Sequence, residues 1–187
     1  MSTPGWSVLE SETLCDSPYL RVYREKIATP TRPDGVEWMV ARRREAAVVA
    51  PQKKDGSFIL IRQERVAVQR ETWEFPAGQV DGDVNENTIA ETALRELGEE
   101  AGVETLEGLE SLGLFYSSVG FTDERAHLFL AKNVTERPEG LDQDEHEAIL
   151  EVRSFTPAEL REMIASGVIV DANTLALFAR MIAQGLL

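Results

Sequence analysis

Between Arg95 and Gly102 the chain reads Arg-Glu-Leu-Gly-Glu-Glu-Ala-Gly, and the acids in it are spaced for one kind of chemistry. On a helix Glu96 and Glu100 stand four residues apart and Glu99 three from Glu96, so all three carboxylates share one face. Like charges at that spacing cost roughly 0.2–0.5 kcal/mol per pair unless something neutralises them. A hard divalent cation, which takes oxygen ligands, would do so; a solvated acidic face is the alternative. Gly98 adds an oddity, since glycine inside a helix costs about 1 kcal/mol relative to alanine. A second concentration of acid lies at 140–147, where Asp142, Asp144, Glu145 and Glu147 make four acids in eight residues. From composition alone that stretch reads as a solvated loop.

The rest of the composition narrows what these acids could serve. The formal net charge is −14, and a surface that acidic repels a phosphate backbone, which excludes a nucleic-acid binder working by counterion release. Cys15 is alone, so no intrachain disulfide and no cysteine-based zinc site can form. His127 and His146 are the sole imidazoles, leaving metal chemistry to carboxylates and hard cations. At 187 residues, 43% apolar and 28% charged, the chain fits one ordinary globular domain with a small extension rather than a disordered or fibrous protein. The N-terminal MSTPGWSVLE lacks the basic region and apolar core of a signal peptide, and no run approaches the ~18–20 apolar residues of a membrane span. A soluble cytoplasmic protein without membrane partners is expected.

Elements must hold the acids in place. Alternation over Tyr19–Glu25 predicts a strand, followed by a turn at Thr31–Gly35 and a strand over Val36–Arg42. Ala46–Ala50 and Ser57–Arg65 read as strands joined by a turn at Lys53–Gly56, and Glu71–Gly78 as one strand ending in a loop. Ile89, Ala93, Leu94, Leu97 and Ala101 then fall at helical spacing, with Thr88 and Glu91 as a capping box and Gly102 as the stop. Strands follow at Leu112–Tyr116, Arg125–Ala131 and Ile149–Phe155. Thr156-Pro-Ala-Glu159 opens a helix running to Ser166, and a last helix covers about Asp171 to Gln184. Strands mixed with three helices exclude both regular βαβ alternation and a two-sheet sandwich.

Trp73-Glu-Phe-Pro-Ala-Gly78 upstream and Arg95–Val103 together resemble the Nudix box, G-x5-E-x7-R-E-U-x-E-E-x-G-U with U aliphatic. Arg95, Glu96, Leu97, Glu99, Glu100, Gly102 and Val103 match its second half at every specified position. The first half departs: Gly78 lies 17 residues before Arg95 instead of 14, which places three extra residues in the Val80–Asn87 loop. Asn87 stands where the box has Glu, with Glu86 beside it. Ile61-Arg-Gln-Glu-Arg65, the E-x-P-A-G element, Gly120-Phe-Thr-Asp-Glu124, Glu145-His-Glu147 and Gly167-Val-Ile-Val-Asp171 extend the likeness to ADP-ribose pyrophosphatases over about residues 18–185. Val119 occupies a position where that subfamily has Pro.

The resemblance implies an α/β fold, a Nudix α/β/α sandwich with a mixed sheet over residues 45–187, plus a small antiparallel β region over 1–44 that pairs with a second subunit. It implies metal-dependent attack of water on a nucleoside diphosphate sugar, with ADP-ribose favoured. Mg²⁺ is the default metal and Mn²⁺ the alternative. Glu96, Glu99, Glu100 and the carbonyl of Ala77 become metal ligands, with Glu147 auxiliary. Glu145 becomes the general base, and with Glu100 it makes up the catalytic pair; Glu124 is second choice for the base. Arg95 is expected to orient the carboxylates rather than touch substrate. Arg65 is the candidate phosphate clamp, because a guanidinium takes phosphate oxygens bidentately, with Arg62 a weaker second. Tyr19 and Trp38 are candidates for stacking on a nucleobase. His146 is expected to be idle and His127 to be structural. Other enzymes of the same chemistry, acting on GDP-mannose, NADH or dinucleoside polyphosphates, and a non-catalytic nucleotide-binding module remain as alternatives.

Overall fold

The first strand buries nothing. Strand β1, Ser7–Asp16, is exposed along its whole length, which is why no apolar alternation marks it in the sequence. The computed structural model describes residues 4–138 and 148–187. Two compact units divide the chain, one made of residues up to Arg44 with Tyr116–Arg125, the other of Glu45–Phe115 with Ala126–Leu187.

In the first unit, β1 pairs antiparallel with β2, Arg21–Thr29, and β2 with β3, Arg32–Arg42. The hairpin between β2 and β3 turns at Pro30 and Thr31, not over Thr31–Gly35 as expected. The Thr29 hydroxyl accepts the Arg32 N–H at 3.1 Å and closes the turn early, so β3 already includes Gly35, at φ +86° within the strand. The buried carboxylate of Glu25 takes both its hydrogen bonds from Arg42, at 2.9 Å each, and the same guanidinium reaches Asp123 at 2.6 Å. That network ties the sheet to the 116–125 segment of its own unit.

The second unit contains β4 (Ala46–Pro51), β5 (Phe58–Arg65), β6 (Arg70–Glu74), β7 (Ala77–Gln79), helix α1 (Glu86–Glu99), β8 (Val103–Glu104), β9 (Leu109–Tyr116) and β10 (Arg125–Ala131). After these come β11 (Thr135–Glu136), β12 (Ile149–Phe155), α2 (Pro157–Ala165) and α3 (Ala172–Ala183). One sheet runs β7-β4-β10-β9, with β10 parallel and β7 antiparallel to β4; another runs β12-β5-β6, and β11 pairs with β8. Strand β4 is buried on both faces, the mark of a central strand. Val48 and Ala50 pack toward Leu160 of α2 and Leu177, Phe178 and Met181 of α3. Ala47 and Val49 face Ile89, Ala93 and Leu97 of α1. Helices on both sides of a mixed sheet give the expected α/β/α layering. Among the described residues no helix is long and apolar enough to cross a membrane.

Two further local expectations are corrected. The cap of α1 is Asn85, whose side chain accepts the Asn87 and Thr88 N–H groups while Thr88 accepts the Asn85 N–H; the helix therefore starts a turn before the Thr88–Glu91 pair, because an asparagine cap satisfies the same orphan donors earlier. Residues 80–85, between β7 and α1, form the loop expected to hold the extra residues. At its other end α1 stops where Gly102, at φ +65°, donates its N–H to Gly98 O at 3.1 Å.

The second correction matters more. Glu71–Gly78 is not one strand but two in different sheets, β6 beside β5 and β7 beside β4. Pro76 lacks a donor and ends the first ladder. Phe75 N–H is taken instead by the buried Thr174 hydroxyl at 2.9 Å, and Pro76 O accepts Val49 N–H at 3.0 Å. That step carries the chain from one sheet to the other and delivers Ala77 and Gly78 beside α1.

Candidate active site

Helix α1 turns Ala93 and Leu97 into the core, and residues flanking that stripe are drawn in with it. Glu96 and Glu100 are each 2% exposed, whereas the Glu99 side chain keeps 28% of its surface. Burying a carboxylate is costly unless it is paired or hydrogen-bonded. Arg95 takes Glu96 Oε1 through Nη2 at 2.5 Å and Glu99 through Nη1. Ala77 N–H donates to Glu100 Oε2 at 2.8 Å. Burial alone would lower the Arg95 pKa, but Glu96, Glu99 and Asp81 outweigh it and hold the guanidinium above its ordinary value. Gly78 is required by contact: a Cβ there would overlap the Glu96 carboxylate and lie 3.0 Å from its Cγ.

The helix therefore brings Glu96, Glu99 and Glu100 to one end and β7 brings Ala77 to the same place. They do not form a preformed cage, and among the described residues no three acidic, histidine or cysteine side chains converge on one point. The donor set nevertheless fits a hard dication, being all oxygen and mostly buried, at the helix end where the dipole is negative.

A second polar cluster lies on β5 and β6. Arg65 gives Nε to Glu74 Oε1 at 2.9 Å and Nη2 to Oε2 at 2.5 Å, and the Thr72 hydroxyl donates to the same carboxylate. Glu74 is 1% exposed. Its hydrogen bonds raise the Arg65 pKa against the effect of burial, with the charges of Asp171 and Glu100 adding to the rise. Arg65, its side chain 42% exposed, is paired with Glu74 through Nε and Nη2, and it stands within electrostatic reach of Glu100 at the end of α1. Asp171 caps α3 by accepting Thr174 N–H at 2.8 Å and its hydroxyl at 2.9 Å. Burial, then Glu74, pushes the Asp171 carboxyl up, and the Thr174 bonds and Arg65 oppose this. A cavity of about 510 Å³ opens between Arg65, Thr72, Glu74, Asp171, Val68 and Val170. No role was assigned to Glu74 or Asp171 from sequence; for Glu74 the available signal was an acid between the aromatic residues Trp73 and Phe75.

The remaining candidates are dispersed. Arg62 is held by Glu71 and, at 3.0 Å, by Glu151, above the Trp73 ring. His127 Nε2 lies 2.6 Å from Glu45 Oε2 in a structural pair. Glu86 is exposed in the first turn of α1, and Asn87 beside it is exposed too. In the first unit, Trp38 donates Nε1–H to Gly120 O at 2.6 Å, Tyr19 is exposed, and Glu124 accepts from Ser117 at 2.7 Å and pairs with Arg43 at 3.0 Å. Glu145, His146 and Glu147 lie outside the described residues.

Residues 41–178 match the NUDIX domain, and the chain belongs to that family. It is 32% identical to an ADP-ribose pyrophosphatase of Bacillus subtilis, over 89% of this chain and 86% of that protein. It is 33% identical to a methanol dehydrogenase activator of Bacillus methanolicus, over 72% and 70% of the two chains, and 31% identical to a GDP-mannose pyrophosphatase of Cronobacter sakazakii, over 84% and 85%. The crystal structure of an ADP compounds hydrolase shares the fold, with a TM-score of 0.76 over the whole of both chains at 21% identity.

Two variants check this geometry. Gly78→Ala forces Glu96 off its place and should cost about 1–3 kcal/mol, as overpacking of a tight contact does, measured by urea unfolding. An unchanged midpoint would show that Glu96 has room to move. For Asp171, a raised folded pKa means the folded state holds that proton more tightly than the unfolded chain. The group therefore removes stability as pH rises from the ordinary aspartate value, about 3.9, through its higher folded value. Asp171→Asn keeps a capping acceptor and abolishes that loss, so the variant should gain on the parent in urea midpoints as pH rises above about 4. Parallel pH profiles for the two proteins would refute the shift.

Proposed function

We propose that this NUDIX-family chain is a metal-dependent diphosphatase that hydrolyses a nucleoside diphosphate sugar, ADP-ribose first, into AMP and ribose 5-phosphate. The observation that carries it is the burial of Glu96 and Glu100 side by side against the Ala77–Gly78 strand, in the half of the box that matches completely. Glu96, Glu99, Glu100 and the Ala77 carbonyl would hold a divalent metal, Mg²⁺ by default and Mn²⁺ alternatively, with Glu147 auxiliary. When bound, the metal supplies Lewis-acid stabilisation of the diphosphate oxygens and lowers the pKa of its water.

This chain's own residues do the rest. Glu145 takes the proton of the attacking water. Arg95 holds the helix carboxylates in register. Arg65, oriented by Glu74, offers Nη1 to a phosphate oxygen. Tyr19 and Trp38 stack on the base in a site built across a homodimer, with residues 1–44 forming the pairing region, and the protein works in the cytoplasm. Trp6, Val8, Leu9, Trp38 and Met39, all exposed on or beside β1–β3, supply apolar surface for that pairing. Sedimentation should give twice the 20.8 kDa chain mass; a monomer at micromolar concentration would remove the shared site.

Val119 in place of Pro, together with the GDP-mannose pyrophosphatase likeness, supports a second reading in which the chemistry is the same and the sugar nucleotide differs. Hydrolysis of ADP-ribose, ADP-glucose, GDP-mannose, NADH and diadenosine polyphosphates, with Mg²⁺ and with EDTA, separates the two. The expected result is metal-dependent turnover of ADP-ribose, reduced in Glu100→Gln by more than the roughly 10–100-fold that loss of a supporting partner costs. Turnover of another compound replaces the substrate and keeps the mechanism. No turnover of any sinks the enzyme and favours a binding module.

A further inference from the structure

Like charges directly opposite each other destabilise a strand pair, yet Arg65 and Arg70 face one another across the β5–β6 hairpin. The same register sets Thr72 opposite Gln63 and Glu74 opposite Ile61, so Arg65, Arg70, Thr72 and Glu74 share one face of the ladder. On that face Arg65 is answered by the buried Glu74, which also accepts the Thr72 hydroxyl. Arg70 is exposed and meets no carboxylate among the described residues; its Nε–H reaches the Glu71 carbonyl at 3.4 Å. The formal charge of the chain is −14, and Arg42, Arg43, Arg62, Arg65 and Arg95 all sit on carboxylates. An arginine without one, set against another arginine, is a departure from that pattern.

The turn that closes this hairpin is strained. A single 3-10 turn, Val66–Val68, leads to Gln69, which takes φ +54°, a left-handed backbone uncommon for a residue with a side chain. Gln69 N–H closes on Val66 O at 3.2 Å. The turn buries no residue, and Val66 and Val68 are exposed, so core packing does not demand that backbone. What the turn does is return the chain with Arg70 opposite Arg65. Backbone strain of this kind concentrates where a site needs a fixed geometry. Two cavities, of about 430 and 510 Å³, adjoin the hairpin, and Arg65 and Arg70 line both. Of the acids at the larger one, Glu74 is spent on Arg65 and Asp171 on the Thr174 cap.

We propose that Arg70 is a substrate-binding residue, which together with Arg65 across the ladder takes the anionic oxygens of the diphosphate. This rests on the reading of the chain as a nucleoside diphosphate hydrolase. The two arginines divide the work. Arg65, held by Glu74, supplies a fixed direction, but much of its charge is cancelled by that carboxylate. Arg70 supplies the charge that Arg65 has given up. An anion placed between them removes the repulsion that the hairpin carries without it, so the like-charge pair and the affinity for phosphate have one cause. Arg62, the second candidate for a phosphate, stands on the opposite face of the ladder with Glu71 and Glu151 on its guanidinium.

Steady-state hydrolysis of ADP-ribose and GDP-mannose with Mg²⁺, calorimetric titration of ADP in EDTA, and thermal unfolding without ligand test this on the full chain. Arg70→Gln should raise KM and the ADP Kd by about tenfold, as loss of a charge-assisted hydrogen bond does, with kcat within about threefold of the parent. Its ligand-free Tm should equal or exceed the parent's, because a like-charge pair is gone. Arg70→Lys keeps a point charge for phosphate and should recover most of the loss. Arg161→Gln makes the same charge change at an exposed position of α2 and should leave KM and Kd unchanged. Unchanged KM and Kd in Arg70→Gln, with the parent active, overturn the role of Arg70 alone. A lowered ligand-free Tm in Arg70→Gln, or an equal shift in Arg161→Gln, overturns it too, by assigning the effect to structure or to overall charge. A parent that hydrolyses neither compound and does not bind ADP overturns the diphosphate reading and this inference together.

Discussion

Two carboxylates buried next to each other, Glu96 and Glu100, set the terms for this molecule. The chain already carries a formal charge of −14, so nothing in its overall field favours placing more negative charge inside. An isolated buried carboxylate would simply take up a proton. Here each is met by a donor whose own position had to be arranged: Arg95 one residue from Glu96 on the same helix, and Ala77 N–H for Glu100 from a separate strand. The requirement propagates outward. Ala77 reaches Glu100 only if β7 runs close to α1, and it can run that close only because Gly78 has no side chain to strike Glu96.

The approach of β7 depends in turn on the break at Phe75 and Pro76. A continuous strand from Glu71 to Gly78 would have stayed with β5, leaving β4 without its antiparallel neighbour and α1 without the strand that faces its acids. Proline ends the ladder by omission of a donor, and the N–H stranded before it is collected by Thr174 at the start of α3. Asp171 holds Thr174 by its N–H and its hydroxyl, so the far helix fixes the point at which the chain changes sheets. A buried threonine and a capping aspartate near the C-terminus thereby position the strand that carries Ala77 and Gly78, about a hundred residues earlier in the chain.

What the sequence makes legible follows the same division between local and distant causes. The period of Ile89, Ala93 and Leu97 and the spacing of Glu96, Glu99 and Glu100 are properties of one helix, and both were readable. So were the Thr156–Glu159 cap and the strand at β4. Strand β1 was not, because a strand with no buried face has no apolar alternation to read. The turn at Pro30–Thr31 was misplaced because Gly35 reads as a turn residue, although it lies within β3. Gly98 looked like a cost without a cause because the side chain packed across it, Arg137, belongs to a residue far along the chain. Glu74 was passed over for a similar reason: its charged partner Arg65 comes from the neighbouring strand β5, in a register that no local pattern specifies.

The pairing of Arg65 with Glu74 bears on how so acidic a chain can handle an anionic diphosphate. Two nitrogens of the Arg65 fork are spent on Glu74, so fewer remain for a phosphate than a free guanidinium would offer. What is lost in hydrogen bonds is gained in order. An arginine locked by a buried bidentate partner has little rotamer freedom left to lose when a ligand arrives, and its cost of binding is lower for that reason. The carboxylate that locks it also cancels its charge at long range. If Arg65 is the phosphate clamp proposed above, its attraction is therefore confined to short distance, where hydrogen-bond direction matters more than net charge. The same logic governs α1, where Arg95 compensates acids that would otherwise repel both each other and the substrate. In both places positive charge is positioned by negative charge, and recognition of an anion rests on geometry that the overall field of the protein opposes.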